Sequence, residues 1–336
     1  AIAPHVFLLG GGPHPTAAPE HALRIGFDAV CIGEAEISFP TLVGKLQVGG
    51  NWRDTPGIGF LSAEGNFQQT PFPPLADLND YSPFPIRLNR FGHIEITRGC
   101  PFACAFCQVS RMHGFKPRHR SIEAVCKAVA AMRRAGRIDY RFITPNAFGY
   151  GSPDGRTLCV DAVRDFLREV RTAAGSGGRI YFGSFPSEAR PEHVQDETVA
   201  LVKQYANNKN ILMGAQSGSN RLLAACHRGH TIEEVYRATS CIVKAGLLAN
   251  VDFIFGLPGE TDEDREATIG AIHHLTKLGA RIHTHTFMPV PQTPFASAPP
   301  GQIHPQILEL LHQTLLPSGQ AYGNWKEQEI MGREEF

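Results

Sequence analysis

The chain has 336 residues, 42% of them hydrophobic, and its Lys plus Arg equal its Asp plus Glu at 32 each. That length and apolar content supply a large core, enough for one large barrel or a barrel with a smaller unit, and point away from disorder. Zero net charge leaves no global field for nucleic acid, so a polyanion would need a local patch. No apolar run is long enough to cross a bilayer, and the N-terminus lacks the charged and apolar regions of a signal peptide.

Residues 1–50 read as two β-α units. Val6–Leu9 is a short apolar run ending in Gly10-Gly11-Gly12-Pro13, followed by a helix-like Ala17–Ile25, a second strand at Ala29–Ile32 and a second helix at Phe39–Leu46. This alternation implies a parallel α/β layer, but a doubly wound domain usually has five or six strands, so this is a partial Rossmann-like segment. Residues 51–90, rich in Pro, Gly, Asn and Asp, mark an irregular connector or a small hairpin. Strands are then expected at His93–Thr97, Tyr140–Thr144, Arg179–Ser184, Ile211–Ala215, Ala249–Phe255 and Ile282–Phe287, with helices between them. One helix starts at the N-cap Ser121, carries Ile122, Val125, Val129 and Met132 on one stripe, and stops at Gly136. The α/β fold class is therefore a partial (β/α)6 TIM-like barrel over 91–295, its functional groups at the strand C-termini, with residues 296–336 as a C-terminal tail.

Eight cysteines occur. Five (Cys31, Cys126, Cys159, Cys226, Cys241) are dispersed and read as small core residues, so no disulfide framework is expected and a reducing, cytoplasmic setting fits. The other three form Cys100-x3-Cys104-x2-Cys107, with Phe106 before the third. Cubane clusters use four cysteines, and no fourth stands at a matching distance here, so the spacing suggests three ligated irons and one open position. A zinc knot or an electron-transfer cluster needs four protein ligands, and neither His113 nor Cys126, the latter on a predicted helix, lies where one would complete it.

Polar residues and glycines also follow the later strands. Thr144-Pro145-Asn146 comes after the second, Ser184-Phe185-Pro186-Ser187-Glu188-Ala189-Arg190 after the third, Gln216-Ser217-Gly218-Ser219 after the fourth, and the fifth runs Asp252-Phe253-Ile254-Phe255-Gly256-Leu257-Pro258-Gly259-Glu260-Thr261. Packing alone does not call for such residues at successive strand ends, although each has a loop-capping alternative.

The cysteine spacing with its aromatic residue resembles the signature of the radical S-adenosylmethionine (SAM) superfamily. The runs at Gln216–Ser219, His227–Thr231, Asp252–Thr261 and Met288–Pro294 resemble the branch that includes methylthiotransferases and cobalamin-dependent enzymes. The resemblance covers roughly residues 90–295. It implies a 4Fe-4S cluster on Cys100, Cys104 and Cys107, SAM on the open iron, and reductive cleavage of SAM to a 5′-deoxyadenosyl radical, with an electron donor such as flavodoxin or ferredoxin and a small-molecule or peptide substrate. It also implies that Phe106, Ile254 and Gly256 approach adenine, that Ser184, Glu188, Gln216 and Ser217 lie near the ribose and methionine, and that Asn146 stands in for the absent Gly-Gly-Glu turn.

Gly11-Gly12-Pro13-His14-Pro15 and Gly33-Glu34 resemble the second half of a cobalamin-binding domain, which implies that Gly11, Gly12, His14 and Glu34 approach the corrin; the alternative is an ordinary β-α turn. The first half of such a domain is not in this sequence, and without an Asp-x-His-x-x-Gly run a lower axial histidine ligand is not indicated. A methylthiotransferase is disfavoured, because only Cys31 lies upstream of Cys100 and residues 300–336 are too short for an RNA-binding barrel. The resemblance therefore implies cobalamin-dependent methyl transfer to an unactivated carbon. Its alternatives are a cobalamin-independent rearrangement, cyclisation or oxidation, and a non-catalytic iron–sulfur redox protein.

Three features stand outside that scheme. Arg111–Arg120 is a basic loop, either solvated, offsetting cluster charge or holding an anionic ligand, and does not indicate nucleic acid. His283 and His285 alternate on the sixth strand and so share a face, open to substrate binding or proton shuttling, with no third metal ligand evident nearby. His227 and His230 are equally readable as surface groups.

Overall fold

The computed structural model describes residues 6–334. The N-terminal unit holds strand β1 (Leu9–Gly10), helices α1 (Pro13–Ala17) and α2 (Pro19–Arg24), strand β2 (Ala29–Cys31), helix α3 (Ser38–Gln47) and strands β3 (Ile58–Leu61) and β4 (Phe67–Gln69). Strands β1 and β2 are parallel, and β3 and β4 continue the same sheet antiparallel. Strand periodicity explains the two-sided packing: Val30 and Ile32 meet Ala22 and Leu23 on one face, while Ala29 and Cys31 meet Leu42 and Ile58 on the other. The first part of the proline-rich connector is thus the hairpin, and it completes this sheet.

The barrel begins at β5 (Ile94–Glu95) and β6 (Thr97–Arg98), passes through the short helix α4 (Val109–His113), and returns at β7 (Arg118–His119). Next come α5 (Ile122–Arg134), β8 (Asp139–Ile143), α6 (Val160–Ala174), β9 (Arg179–Tyr181), α7 (Asp196–Tyr205), β10 (Asn210–Gln216), α8 (Asn220–Ala225), α9 (Ile232–Lys244), β11 (Leu248–Phe255), α10 (Asp262–Lys277) and β12 (Arg281–Thr286). All six strands expected from sequence are present. Strands β5, β8 and β9 pair in parallel, as do β10, β11 and β12, and a parallel bridge between Ala189 and Met213 links the two groups. The sheet curls without closing, as a partial barrel does.

Helix α5 starts where Ser121 Oγ accepts the Ala124 N–H at 3.2 Å and buries Val125, Val129 and Met132. Helix α6 buries Val163, Phe166, Leu167, Val170 and Ala174, a spacing of three and four that lays one stripe on the sheet. Phe166 meets Phe142 edge-on and Phe182 at a tilt in that core.

Residues 296–334 form more than a tail. Helix α11 (Pro305–Leu310), strand β13 (Ala321–Tyr322) and helix α12 (Trp325–Glu334) follow β12, and β13 adds a seventh parallel strand beside it. All eight cysteines are free. Among the described residues, no helix is long and apolar enough to cross a membrane.

Candidate active site

The cysteine loop is closed at its base by the antiparallel pair β6 and β7, which sets Thr97 opposite His119 and Arg98 opposite Arg118. Gly99 starts the turn at φ 90°, and a Cβ there would lie 2.5 Å from the Lys116 carbonyl oxygen, so only glycine fits. Within the loop Cys100 N–H donates to Gly114 O at 3.1 Å, Cys107 N–H to Cys104 O at 2.9 Å, and Ala105 N–H to Cys226 O at 3.0 Å. Ser110 Oγ donates to Cys100 O at 2.7 Å.

The three cysteines line one cavity of about 490 Å³, at the C-terminal ends of the barrel strands. Cys104 is buried, and burial pushes the Cys107 thiol up to about 11 and the Cys100 thiol upward. A thiol raised in this way keeps its proton until a cation displaces it, and with Cys104 the wall presents three sulfur donors of the kind that ligate metals.

Phe106, Glu188, Gln216 and Ile254 line the same cavity. Gln216 sits at a register shift in β10, at φ 74°. Beside it, a Cβ on Gly214 would meet the Gln216 amide nitrogen, an Arg228 guanidinium nitrogen and a Glu188 carboxylate oxygen; the glycine is what lets three polar side chains converge. Glu188 faces the cavity but is enclosed by protein, and this desolvation, followed by the charge of Asp252, pushes its carboxyl up to about 7.

Other expected contacts lie outside this wall. Asn146 is buried, its amide within 2.7 Å of His193 Nδ1 and its oxygen accepting the Arg190 N–H at 3.2 Å; it borders a small crevice shared with Gly99 and Cys100. Ser184 Oγ donates to Asn210 Oδ1 at 3.0 Å. Ser217 Oγ lies 3.3 Å from Thr268 Oγ1 on α10. Gly256, at φ 71°, is covered by the backbone of Gly301 and Gln302, so a Cβ there would sit 2.7 Å from Gln302 N.

Arg228 was not singled out by sequence, yet it lines the cavity, with Arg98 and Arg190, as a buried cation beside Cys104. Its Nη1 donates to Cys104 Sγ at 3.3 Å and its Nη2 to Gly214 O at 2.7 Å, while Nε is buried with no partner. Arg190 stacks over Phe102 at 3.4 Å and bonds the Arg228 carbonyl. Neighbouring His230 is buried and His227 exposed, which splits the pair read as surface groups. The run His227–His230 held the signal, but only β10 packing turns Arg228 inward.

The N-terminal unit meets the cysteine loop directly. Gln108 Nε2 donates to Pro13 O at 3.4 Å and Gln292 Nε2 to Thr16 O at 3.0 Å. Glu34 pairs with Arg98 and Arg118. Gly11, Gly12 and His14 are exposed; nothing lies within 4 Å of a Cβ built on Gly12, so the turn offers bare backbone, and His14 Nε2 lies 2.9 Å from His21 Nδ1.

Known proteins are similar to this chain in sequence and in fold. An uncharacterized methyltransferase of Pyrococcus horikoshii is 27% identical over 281 residues, 80% of this chain and 58% of its own length. A tRNA-2-methylthio-N(6)-dimethylallyladenosine synthase of Petrotoga mobilis is 33% identical over 182 residues, 53% of this chain and 40% of its own. The chain thus spans about half the length of these relatives. Among solved structures, the radical SAM methyltransferase TsrM of Kitasatospora setae, with cobalamin and a 4Fe-4S cluster bound, aligns at a TM-score of 0.69 with 18% identity, over 87% of this chain and 57% of that one. The cobalamin-dependent radical enzyme OxsB, with aqua-cobalamin and SAM bound, aligns at 0.62 with 18% identity, over 79% and 38%. Residues 94–272 match the model of the radical SAM superfamily, and the chain belongs to that superfamily.

Proposed function

We propose that this chain binds a 4Fe-4S cluster through Cys100, Cys104 and Cys107, cleaves SAM reductively in the adjoining cavity, and with cobalamin methylates an unactivated carbon of a small-molecule or peptide substrate. The observation that carries the reading is the single cavity shared by three cysteines, Gln216, Glu188 and the buried Arg228. A cluster held by Cys100, Cys104 and Cys107 would supply the electron for reductive cleavage of SAM, and cobalamin would supply the chemistry of methyl transfer.

The chain's own residues supply the setting. Arg228 holds positive charge against Cys104, and its unpartnered Nε fits an anionic neighbour in the cavity. Gln216 and Glu188 offer hydrogen bonds to ribose or amino groups, and Phe106 and Ile254 give an apolar wall suited to a purine. The bare turn at Gly11 and Gly12, tied to the cysteine loop through Pro13 and Gln108, supports cobalamin on that side, because glycines let a large ring approach the backbone. An electron donor of the flavodoxin or ferredoxin class completes the reading.

The test is mass spectrometry on anaerobically reconstituted protein given SAM and a strong reductant, with and without cobalamin. 5′-Deoxyadenosine that disappears in Cys104→Ala, together with cobalamin-dependent S-adenosylhomocysteine, is expected. Intact cluster with neither product would sink the proposal, and deoxyadenosine without cobalamin dependence would leave only its radical half.

A further inference from the structure

A second set of metal-type ligands lies across the barrel from the cysteine loop. Asp252 on β11 and His283 on β12 are direct partners in the parallel register. His285 follows His283 by two residues, so the three side chains leave the sheet on one face. Asp252 Oδ1 is 2.9 Å from His283 Nδ1, and His285 Nε2 is 3.2 Å from that same Nδ1. The three ligand atoms all fall within 4.8 Å of one another. Asp252, only 3% exposed, and His285 both line the cavity.

In the observed orientation of the Gln328 amide, hydrogen bonding alone does not satisfy this trio. Gln328 Oε1 accepts the Thr286 N–H at 3.0 Å, which turns its amide nitrogen toward His285 Nδ1, 3.2 Å away. A neutral His285 therefore carries its proton on Nε2 and points it at His283 Nδ1. That nitrogen has either one proton or one lone pair. With a proton, two N–H groups face each other; without one, its lone pair faces the Asp252 carboxylate. Glu188 adds a second acid to the same lumen.

A cation at the convergence point takes the place of these contacts, because each of the three atoms can present a lone pair to it. Metal–ligand bonds of about 2.1 Å at right angles put neighbouring ligand atoms about 3.0 Å apart, in line with the separations of 2.9 and 3.2 Å.

We propose that Asp252, His283 and His285 form a second metal site, a two-histidine, one-carboxylate set that binds a divalent first-row transition metal such as Fe²⁺ or Zn²⁺ and leaves its open positions toward the cavity. His285 binds through Nε2, so its Nδ1 carries the proton and the Gln328 amide oxygen turns from the Thr286 N–H to accept it, an exchange of partners that makes Gln328 a positioning residue. The site needs neither the cluster nor cobalamin, and its test is separate from that of the proposed function.

The experiment uses the chain with Cys100, Cys104 and Cys107 all changed to Ala, which removes competing thiolates, alongside the cluster-loaded parent. Each protein is titrated with Co²⁺ and with Zn²⁺, desalted, and read by visible d–d absorption and elemental analysis. About one equivalent of metal with nitrogen and oxygen ligation is expected in both. His283→Asn and Asp252→Asn should lose it while far-UV circular dichroism stays unchanged, and Gln328→Ala should bind roughly 10- to 100-fold more weakly. Should a ligand variant fail to fold, the Gln328→Ala titration and the parent stoichiometry still decide. No metal retained by the triple-Ala chain, or retention that neither His283→Asn nor Gln328→Ala alters, would overturn the proposal.

Discussion

Arg228 and Cys104, far apart in sequence, meet at 3.3 Å between guanidinium Nη1 and Sγ. A fixed positive charge beside a thiolate ligand favours the electron-rich state of whatever that thiolate holds, since hydrogen bonds to sulfur and net charge set cluster potentials. A charge-assisted contact of this kind is worth about 1.5–3 kcal/mol. Arg228→Met should therefore make the reduction potential of a reconstituted cluster more negative and cut deoxyadenosine formation by about tenfold or more. A redox titration followed by electron paramagnetic resonance reads the potential; a value equal to that of the parent, with an equal rate, would reduce Arg228 to a packing residue.

Glu34 ties the N-terminal unit to the cysteine loop. Its carboxyl is largely buried, which alone would raise its pKa, but the His113 ring beside it, the hydrogen bonds from Arg118 and the charges of Arg98 and Arg118 outweigh burial and hold it down to about 2, from 4.5. A depressed folded-state value means that the stabilisation is present above the unfolded pKa and is lost as pH falls through the folded one. The shift corresponds to about 3 kcal/mol. Urea melts of the parent should lose about that much between about pH 5 and pH 2 relative to Glu34→Gln, whose curve lacks this contribution. Parallel acid profiles for the two proteins would refute the assignment.

What the sequence made legible was local. The cysteine spacing, the Ser121 cap and the six strands are all patterns within short windows, and each appears in the fold. The residues it missed depend on register and on chain returning from far away. Asp252 and His283 were each on recognised strands, but their pairing across β11 and β12 requires knowing how two strands slide past each other, so His283 and His285 seemed to lack a third ligand. Arg228 turns inward only because Gly214 leaves room for it. Strand β13 is two residues long and carries no periodicity to read; packing on β12 alone makes it a strand.

Asn146 separates positioning from ligand contact. Both ends of its amide are engaged by His193 and Arg190, and Arg190 in turn holds the backbone of Arg228. Asn146→Ala leaves a buried N–H and a buried imidazole nitrogen without partners, which costs about 1–3 kcal/mol each. The expected outcome is a clear fall in melting temperature with SAM affinity, measured by equilibrium dialysis on folded protein, reduced only through displacement of Arg228. A large loss of affinity with unchanged melting would mean that the amide touches SAM itself.

Gly99 is where backbone conformation and the proposed chemistry meet. Its φ of 90° lies where a side chain is strained at a cost of about 1–3 kcal/mol, and the added Cβ would press on the Lys116 carbonyl at 2.5 Å. Relief requires the strand leading to Cys100 to move away from the segment after His113, which breaks the Cys100 N–H bond to Gly114 O. Gly99→Ala should then melt several degrees lower, on the scale of roughly 2–4 °C per kcal/mol for a domain of this size. It should also bind less than the parent's iron after reconstitution, because three thiolates must be placed together to share one cluster. Iron and sulfide analysis beside a thermal melt distinguishes the outcomes: lowered melting with full iron would show that the loop tolerates the shift, and unchanged melting would show that the turn is not held where φ and the Lys116 carbonyl put it.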